Sequence, residues 1–234
     1  MTAPSASADK TIETIRAALK PHGLFLRGTV NFTTAEAAPL LADGRSAASV
    51  VLIGHIGGSL WQPFDAWRGS RADRGGKDPL DTWSKAVIQP IAETCHATAY
   101  FPSDPPWQPF QQWAMRAEGL KPSPLGILIH PRFGLWHGYR GAFGLDIPLG
   151  EAGEGAAAHP CDGCREKPCI SACPADALAS GRFDVAPCRR HLGTVVGSAG
   201  CLANGCLSRD ACPVGIDYRY PPEQLRFHMA ALEL

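Results

Sequence analysis

Cys161-Asp-Gly-Cys164-Arg-Glu-Lys-Pro-Cys169-Ile-Ser-Ala-Cys173-Pro174 is the stretch from which the rest of the chain is best read. Its spacing is C-x2-C-x4-C-x3-C-P. A second run follows: Cys188, then Cys201-Leu-Ala-Asn-Gly-Cys206-Leu-Ser-Arg-Asp-Ala-Cys212-Pro213, which closes on the same Cys-Pro pair. Eight of the nine cysteines lie between Cys161 and Cys212, and everything before them holds only Cys95. A secreted disulfide scaffold is short and evenly studded with cysteine. A cysteine-poor half followed by a cysteine-dense half points instead to metal.

Four thiolates bind either one zinc ion or one iron–sulfur cubane. Bacterial two-cluster ferredoxins use C-x2-C-x2-C-x3-C-P, with the fourth cysteine serving the other cluster. The first run keeps that ending but carries two extra residues before Cys169. A cubane is wide, so three ligands come from one tight loop while the fourth arrives from elsewhere. Eight thiolates divide into two sets of four with none spare, which predicts two 4Fe-4S clusters. The favoured, crossed assignment groups Cys161, Cys164, Cys169 and Cys212, and separately Cys173, Cys188, Cys201 and Cys206. The uncrossed alternative keeps Cys161–Cys173 together and Cys188–Cys212 together. Zinc and disulfides are the competing chemistries.

Upstream, the Gly/Ala-rich stretch Gly150–Ala158 reads as a linker. It divides the chain into residues 1–158, a globular α/β domain, and 159–234, a ferredoxin-type domain too small for a good apolar core of its own, which metal would stabilise. In the first part Ile12, Ile15 and Leu19 mark a helix stopped by Pro21 and Gly23. Leu24–Val30 and Ser49–Ile56 read as strands, the second ended by Gly57-Gly58. Thr33–Arg45 reads as a short helix. Pro79 opens a helix towards Cys95, with Leu80, Trp83, Val87 and Ile91 on one face and Pro90 as a kink or early stop. Ala97–Phe101 is a strand, Gln108–Glu118 a helix ended by Gly119, Leu125–His130 a strand, and Trp136–Ile147 an extended pair. Helices alternating with strands give an α/β or α+β layer fold.

The composition fits an ordinary globular chain of 234 residues, 45% hydrophobic and 19% charged. Lys+Arg and Asp+Glu are both 22, so zero net charge weighs against a nucleic-acid partner. The longest apolar run, about Ala47–Ile56, is strand-sized, and no membrane span or signal peptide is read. The expected location is the cytoplasm.

The cysteine motifs, together with Cys188-Arg-Arg, resemble the iron–sulfur segment of epoxyqueuosine reductase, a cobalamin-dependent tRNA-modification enzyme related to the reductive dehalogenases. The resemblance continues through Ala117–Gly126, Ile129-His-Pro-Arg-Phe-Gly-Leu-Trp136 and Asp146-Ile-Pro-Leu149. The N-terminal half also resembles the cobalamin-processing dealkylases, which share a nitroreductase-like fold and lack the clusters. What the resemblance implies is a nitroreductase-like domain followed by a ferredoxin-like two-cluster domain, with cobalamin as a further cofactor. Three spacings are wider here than in the reductase: Cys164 to Cys169, Cys201 to Cys206 and Cys206 to Cys212. The chain ends at Leu234, soon after Cys212, so the reductase's C-terminal, tRNA-gripping domain is expected to be missing.

Asp104, in Phe101-Pro-Ser-Asp104-Pro-Pro-Trp107, is the candidate catalytic acid by resemblance; its other reading is a turn-forming aspartate before proline. Trp61-Gln-Pro-Phe-Asp-Ala-Trp67 is echoed by Trp107-Gln-Pro-Phe-Gln-Gln-Trp113, either as two helix starts with core aromatics or as walls for a flat ligand. Trp107, His130, His137 and Arg140 are the candidate corrinoid contacts. His55 reads as a core histidine or a cofactor neighbour, and Cys95 as a small buried hydrophobe. No G-x-G-x-x-G follows a strand, so no nucleotide fingerprint is present. The leading expectation is an electron-transfer oxidoreductase, with clusters relaying single electrons to a corrinoid or to an electron donor or acceptor protein. The alternatives are a ferredoxin-like carrier without organic cofactor and a cobalamin-handling protein.

Overall fold

The computed structural model describes residues 6–150, 158–178 and 182–232. Most of the expected linker, 151–157, lies outside the described residues. Contacts divide the chain into two units. The first is Met1–Gly119 with Gly138–Ala156; the second is Leu120–His137 with Ala157–Leu234.

In the first unit, β1 (Phe25–Asn31) pairs antiparallel with β2 (Ser49–Ile56), with an irregularity between Leu26 and Thr29. The four-stranded sheet has the order β1-β2-β6-β3, where β3 is Thr98–Tyr100 and β6 is His137–Leu145. β3 and β6 are antiparallel, Ala99 opposite Phe143. β2 is an inner strand, which is why its sequence is apolar without alternation: Val50, Val51, Leu52 and Ile53 are all buried. Burying a side chain of this size is worth about 1.5–3 kcal/mol.

Helices cover the sheet. α1 (Ala6–Leu19) buries Ile15 and Leu19 and packs on α3 (Pro79–Thr94) and β1. α2 (Trp61–Gly69) places Phe64 against Trp83 of α3, ring centres 5.7 Å apart. α4 (Phe110–Glu118) lies on β1, close enough that a Cβ at Gly28 would sit 2.5 Å from that of Ala117. Gly119, at φ 64°, ends it in the left-handed conformation that glycine adopts without strain.

Three local expectations change. Thr33–Arg45 holds no helix: the backbone and hydroxyl of Thr33 both bond Glu36, and a bridge joins Leu40 to Ser46. Local side-chain acceptors offer this segment an alternative to helix, and Pro39 interrupts it. Pro90 neither ends nor shortens α3, which runs on to Thr94. Trp136–Ile147 gives one strand, whose neighbours β2 and β3 are distant in sequence.

The second unit is built of short elements: the hairpin β4 (Lys121–Pro122) and β5 (Leu128–Ile129), then α5 (Pro168–Ser171), α6 (Val185–Leu192), α7 (Val195–Gly197), a π-turn over Ser198–Leu202, α8 (Leu207–Asp210) and α9 (Pro222–Ala230). Leu120–His137, which the sequence reading puts before the linker, belongs with the cysteines. Leu125, Ile129 and Leu135 share one apolar cluster with Cys169, Leu178 and Cys212. A small cysteine segment thereby borrows the core that its own length does not supply.

Candidate metal centre

Each cysteine is set by a short, specific piece of backbone. Lys167 takes the left-handed conformation (φ 43°) and starts α5 with Pro168 in its first turn, which returns the chain after the widened interval so that Cys169 lies in the first turn of the helix. The Lys167 ammonium donates to the carbonyl oxygen of Cys161 at 3.3 Å. Cys201 sits in the π-turn, a deformation that often marks functional sites. The Asn204 amide fastens that turn, donating to the carbonyls of Ala199 and Gly200 at 3.0 and 3.1 Å. Gly205, at φ 97°, turns the chain into Cys206 at the head of α8.

Two cavities result. The first, of about 250 Å³, is lined by Cys161, Cys164, Cys169 and Cys212, with apolar walls that include Leu125, Ile129 and Leu135. The second is smaller and is lined by Cys173, Cys188, Cys201 and Cys206, with Leu178, Leu192 and again Leu125. Leu125 is thus a wall of both. Cys212 comes to the first run and Cys173 to the second.

The thiols also sense one another in these two groups. Burial pushes Cys161 up; Cys212 adds to this, Lys167 opposes it, and Cys169 and Cys164 raise it further. Burial raises Cys169 as well, followed by Cys212 and Cys164, against backbone N–H groups at 169 and 170 that lower it. Cys188 is raised by burial and then by Cys206, Cys173 and Cys201. Cys206 is raised by burial; the N–H groups of Arg209 and Ser208 pull it down, and Cys201 and Cys173 push it up. Mutual repulsion between neighbouring thiolates disfavours their joint ionisation, and a cationic ligand relieves it.

Four thiols lining each cavity are a donor set of the chemistry that holds a thiolate-bound metal group. Beside the thiols, the Ser208 hydroxyl lines the second cavity, is 2% exposed, and has no hydrogen-bond partner among the described residues. Among the described residues, no three His, Cys, Asp or Glu side chains converge closely enough to hold one metal ion. Sequence reading missed Ser208 and Leu125, since serine and leucine announce no chemistry by type or spacing.

The remaining candidates have local roles. His130 accepts from the N–H groups of Arg132 and Phe133 through Nδ1, at 3.0 and 3.2 Å, and stacks on Phe133 with ring centres 4.1 Å apart. His137 is buried, with Nε2 3.0 Å from the carbonyl oxygen of Leu128. These two belong to the second unit. In the first unit, Arg140 pairs with Asp81 at 3.1 Å. Asp104 pairs with Lys85 at 2.5 Å and stands on the wall of an open groove of about 770 Å³. Trp107, 75% exposed, lines the same groove with Tyr100, Phe101 and Trp113. The two aromatic repeats differ: α2 begins at Trp61, whereas Trp107 precedes α4. His55 is buried in β2, and Cys95, half-buried at the end of α3, has its thiol pushed up by burial. Arg189, which follows Cys188 in the Cys-Arg-Arg motif, donates to the carbonyl of Leu232.

The described residues therefore form a mixed α/β protein with a two-cavity, eight-thiol unit, and no described helix is long and apolar enough to cross a membrane. No family model matches the chain, and no curated protein matches it. Among solved structures it is similar to a C. elegans B12-trafficking protein, CblC, a homologue of human MMACHC. The identity is 13% and the TM-score 0.57, over 97% of this chain and 94% of that one. The likeness shows a CblC-like fold.

Proposed function

We propose that the chain is a cobalamin-handling protein whose second unit is a ferredoxin-type module holding two 4Fe-4S clusters as a resident reductant. The observation that carries this reading is the sorting of eight cysteines into two sets of four around two cavities, in a chain whose fold follows a B12-trafficking protein. This ranks cobalamin handling above the electron-transfer oxidoreductase that leads the sequence reading. A zinc ion draws its thiolates to one point, about 2.3 Å each from the metal. A cubane is wider and is held by four more widely spaced thiolates, which suits two C-P-ending runs that share their closing cysteines. When bound, such clusters supply single electrons, at potentials set by burial, charge and hydrogen bonds to sulfur.

The chain's own residues hold, shield and orient. Cys161, Cys164, Cys169 and Cys212 hold one cluster, and Cys173, Cys188, Cys201 and Cys206 the other. Leu125, Ile129 and Leu178 keep water away, and Lys167 offsets negative charge beside Cys161. For the corrinoid, the favoured site is the groove of the first unit. Its volume and mixed walls suit a large organic ligand, and the open face of Trp107 offers a flat apolar contact. Lys85 fixes the Asp104 carboxylate at the polar side of that groove. Arg140, His130 and His137 stay as secondary candidates for ligand contact.

Anaerobic reconstitution should give about eight iron and eight sulfide per chain. Titration with hydroxocobalamin should then give a saturable spectral change that Trp107→Ala weakens. Stoichiometric zinc without sulfide overturns the cluster assignment. No cobalamin binding up to ~1 mM, where association is worth only about 4 kcal/mol, leaves an electron carrier without organic cofactor.

A further inference from the structure

We propose that the corner between α6 and α7 is the docking face for a small acidic one-electron carrier protein, which loads the second thiol site. The inference rests on the cluster assignment above. Val195 is 88% exposed and Val196 73%, among the most exposed large hydrophobic residues described. The two adjacent valines give this corner an apolar surface beside its arginines, the mix of apolar centre and charged rim that a docking face uses.

The corner is tied together by local hydrogen bonds. The Thr194 hydroxyl donates to the His191 carbonyl at 2.7 Å and accepts from the Gly197 N–H at 3.0 Å. A Cβ on Gly197 would fall 1.8 Å from the same His191 carbonyl oxygen, so α7 lies directly against the end of α6. The inner side of this corner already belongs to the second cavity: Cys188, His191 and Leu192 of α6 line it. Its outer side presents the two valines next to the last turn of α6, where Arg189 and Arg190 are exposed. Residues 182–200 contain three arginines against one aspartate in a chain of zero net charge.

Cys188, which lines the second cavity, is followed directly in α6 by the exposed Arg189 and Arg190, so a partner seated on this corner meets the chain beside the second thiol site. Charge selects the partner: an acidic face is steered to the arginines, and an apolar centre covers the valines. In the encounter one electron leaves the carrier's reduced cluster and one enters the second site of this chain. No bond forms or breaks and no proton is exchanged.

The test uses the reconstituted full chain and a reduced plant-type ferredoxin as the probe, mixed rapidly and followed in the visible. Arg190→Glu and Val196→Asp are each compared with the unaltered chain, with iron and sulfide measured on every sample. The expected result is a bimolecular rate that falls steeply with salt and drops about tenfold or more in each variant, while dithionite still reduces all three proteins equally. Equal rates with ferredoxin at equal iron content overturn the docking face and leave the cluster assignment standing. A chain that takes up no iron and sulfide overturns both. A rate that rises with salt, or that is higher in Arg190→Glu, overturns the acidic partner.

Discussion

Gly134 and Gly215 meet backbone to backbone: a Cβ on Gly134 would lie 1.9 Å from the carbonyl oxygen of Val214, and one on Gly215 2.4 Å from that of Phe133. Both also have positive φ, 57° and 75°. This crossing joins the Leu120–His137 segment to the chain just beyond Cys212. Arg209 tightens it, lying 4.4 Å from the ring centre of Trp136 and 4.5 Å from that of Tyr220 while it donates to the Leu135 carbonyl.

Gly134→Ala should therefore loosen the second unit as a whole. The left-handed backbone alone costs about 1–3 kcal/mol, and the clash with Val214 adds to it. Gly126→Ala separates the two effects, because Gly126 has φ +77° but nothing within 4 Å of its added Cβ. Urea unfolding should show Gly134→Ala clearly less stable than Gly126→Ala. Equal losses would mean that the crossing adds nothing to stability.

Cys212→Ala and Cys173→Ala should injure different clusters. Cys212 lines the cavity of Cys161, Cys164 and Cys169, and Cys173 that of Cys188, Cys201 and Cys206. Low-temperature EPR of the reduced protein should lose one signal in Cys212→Ala and the other in Cys173→Ala. Cys161→Ala should match Cys212→Ala. A match between Cys161→Ala and Cys173→Ala would restore the uncrossed arrangement.

The legible parts of the sequence were those where local chemistry decides. Ser49–Ile56 has the same ends in the structure as in the sequence reading, because a run of Val, Leu and Ile stops at Gly57-Gly58. α3 begins at Pro79, and Gly119 closes α4. Cys212 lines the first cavity beside Cys161, Cys164 and Cys169, and the ligand set that spacing favours is part of the proposal above. What spacing does not carry is contact made at long range. Leu125 reads as one end of an ordinary strand, yet it lines both thiol cavities, whose cysteines begin only at Cys161. Thr33–Arg45 shows the opposite failure, where alanines suggest a helix and the Thr33–Glu36 contacts and Pro39 prevent it.

Arg27→Met should be among the most damaging changes in the first unit. Arg27 and Glu118 pair at 2.7 Å with side chains only 3% and 11% exposed, and the Tyr139 hydroxyl donates to the same carboxylate at 2.9 Å. Removing one partner leaves a buried charge without its counter-ion, which costs about 3–5 kcal/mol. Arg27→Met combined with Glu118→Gln removes both charges and keeps an acceptor for Tyr139. Denaturant unfolding should show the double variant more stable than Arg27→Met alone; additive losses would remove the case for a coupled pair.

Two tyrosines should limit stability at alkaline pH. Burial pushes Tyr100 up to about 12, and its hydroxyl donates to the Leu40 carbonyl at 2.9 Å. Tyr139 is also raised, by burial first and then by the Glu118 charge, against the opposing pull of Arg27. Both phenols are neutral donors in the folded protein and ionise near pH 10 in the unfolded chain. With folded values above unfolded ones, the unfolded state gives up its protons first as pH rises. Their contribution is therefore whole below about pH 10 and is lost as pH climbs towards 12 and beyond. Tyr139→Phe removes a buried hydrogen bond, so it should cost roughly 1 kcal/mol at pH 7. It should also flatten the fall in stability between pH 9 and 11, as should Tyr100→Phe. Unfolding free energies measured at intervals across that range for the three proteins decide it, and parallel curves would show that neither phenol is what the alkaline limb reports.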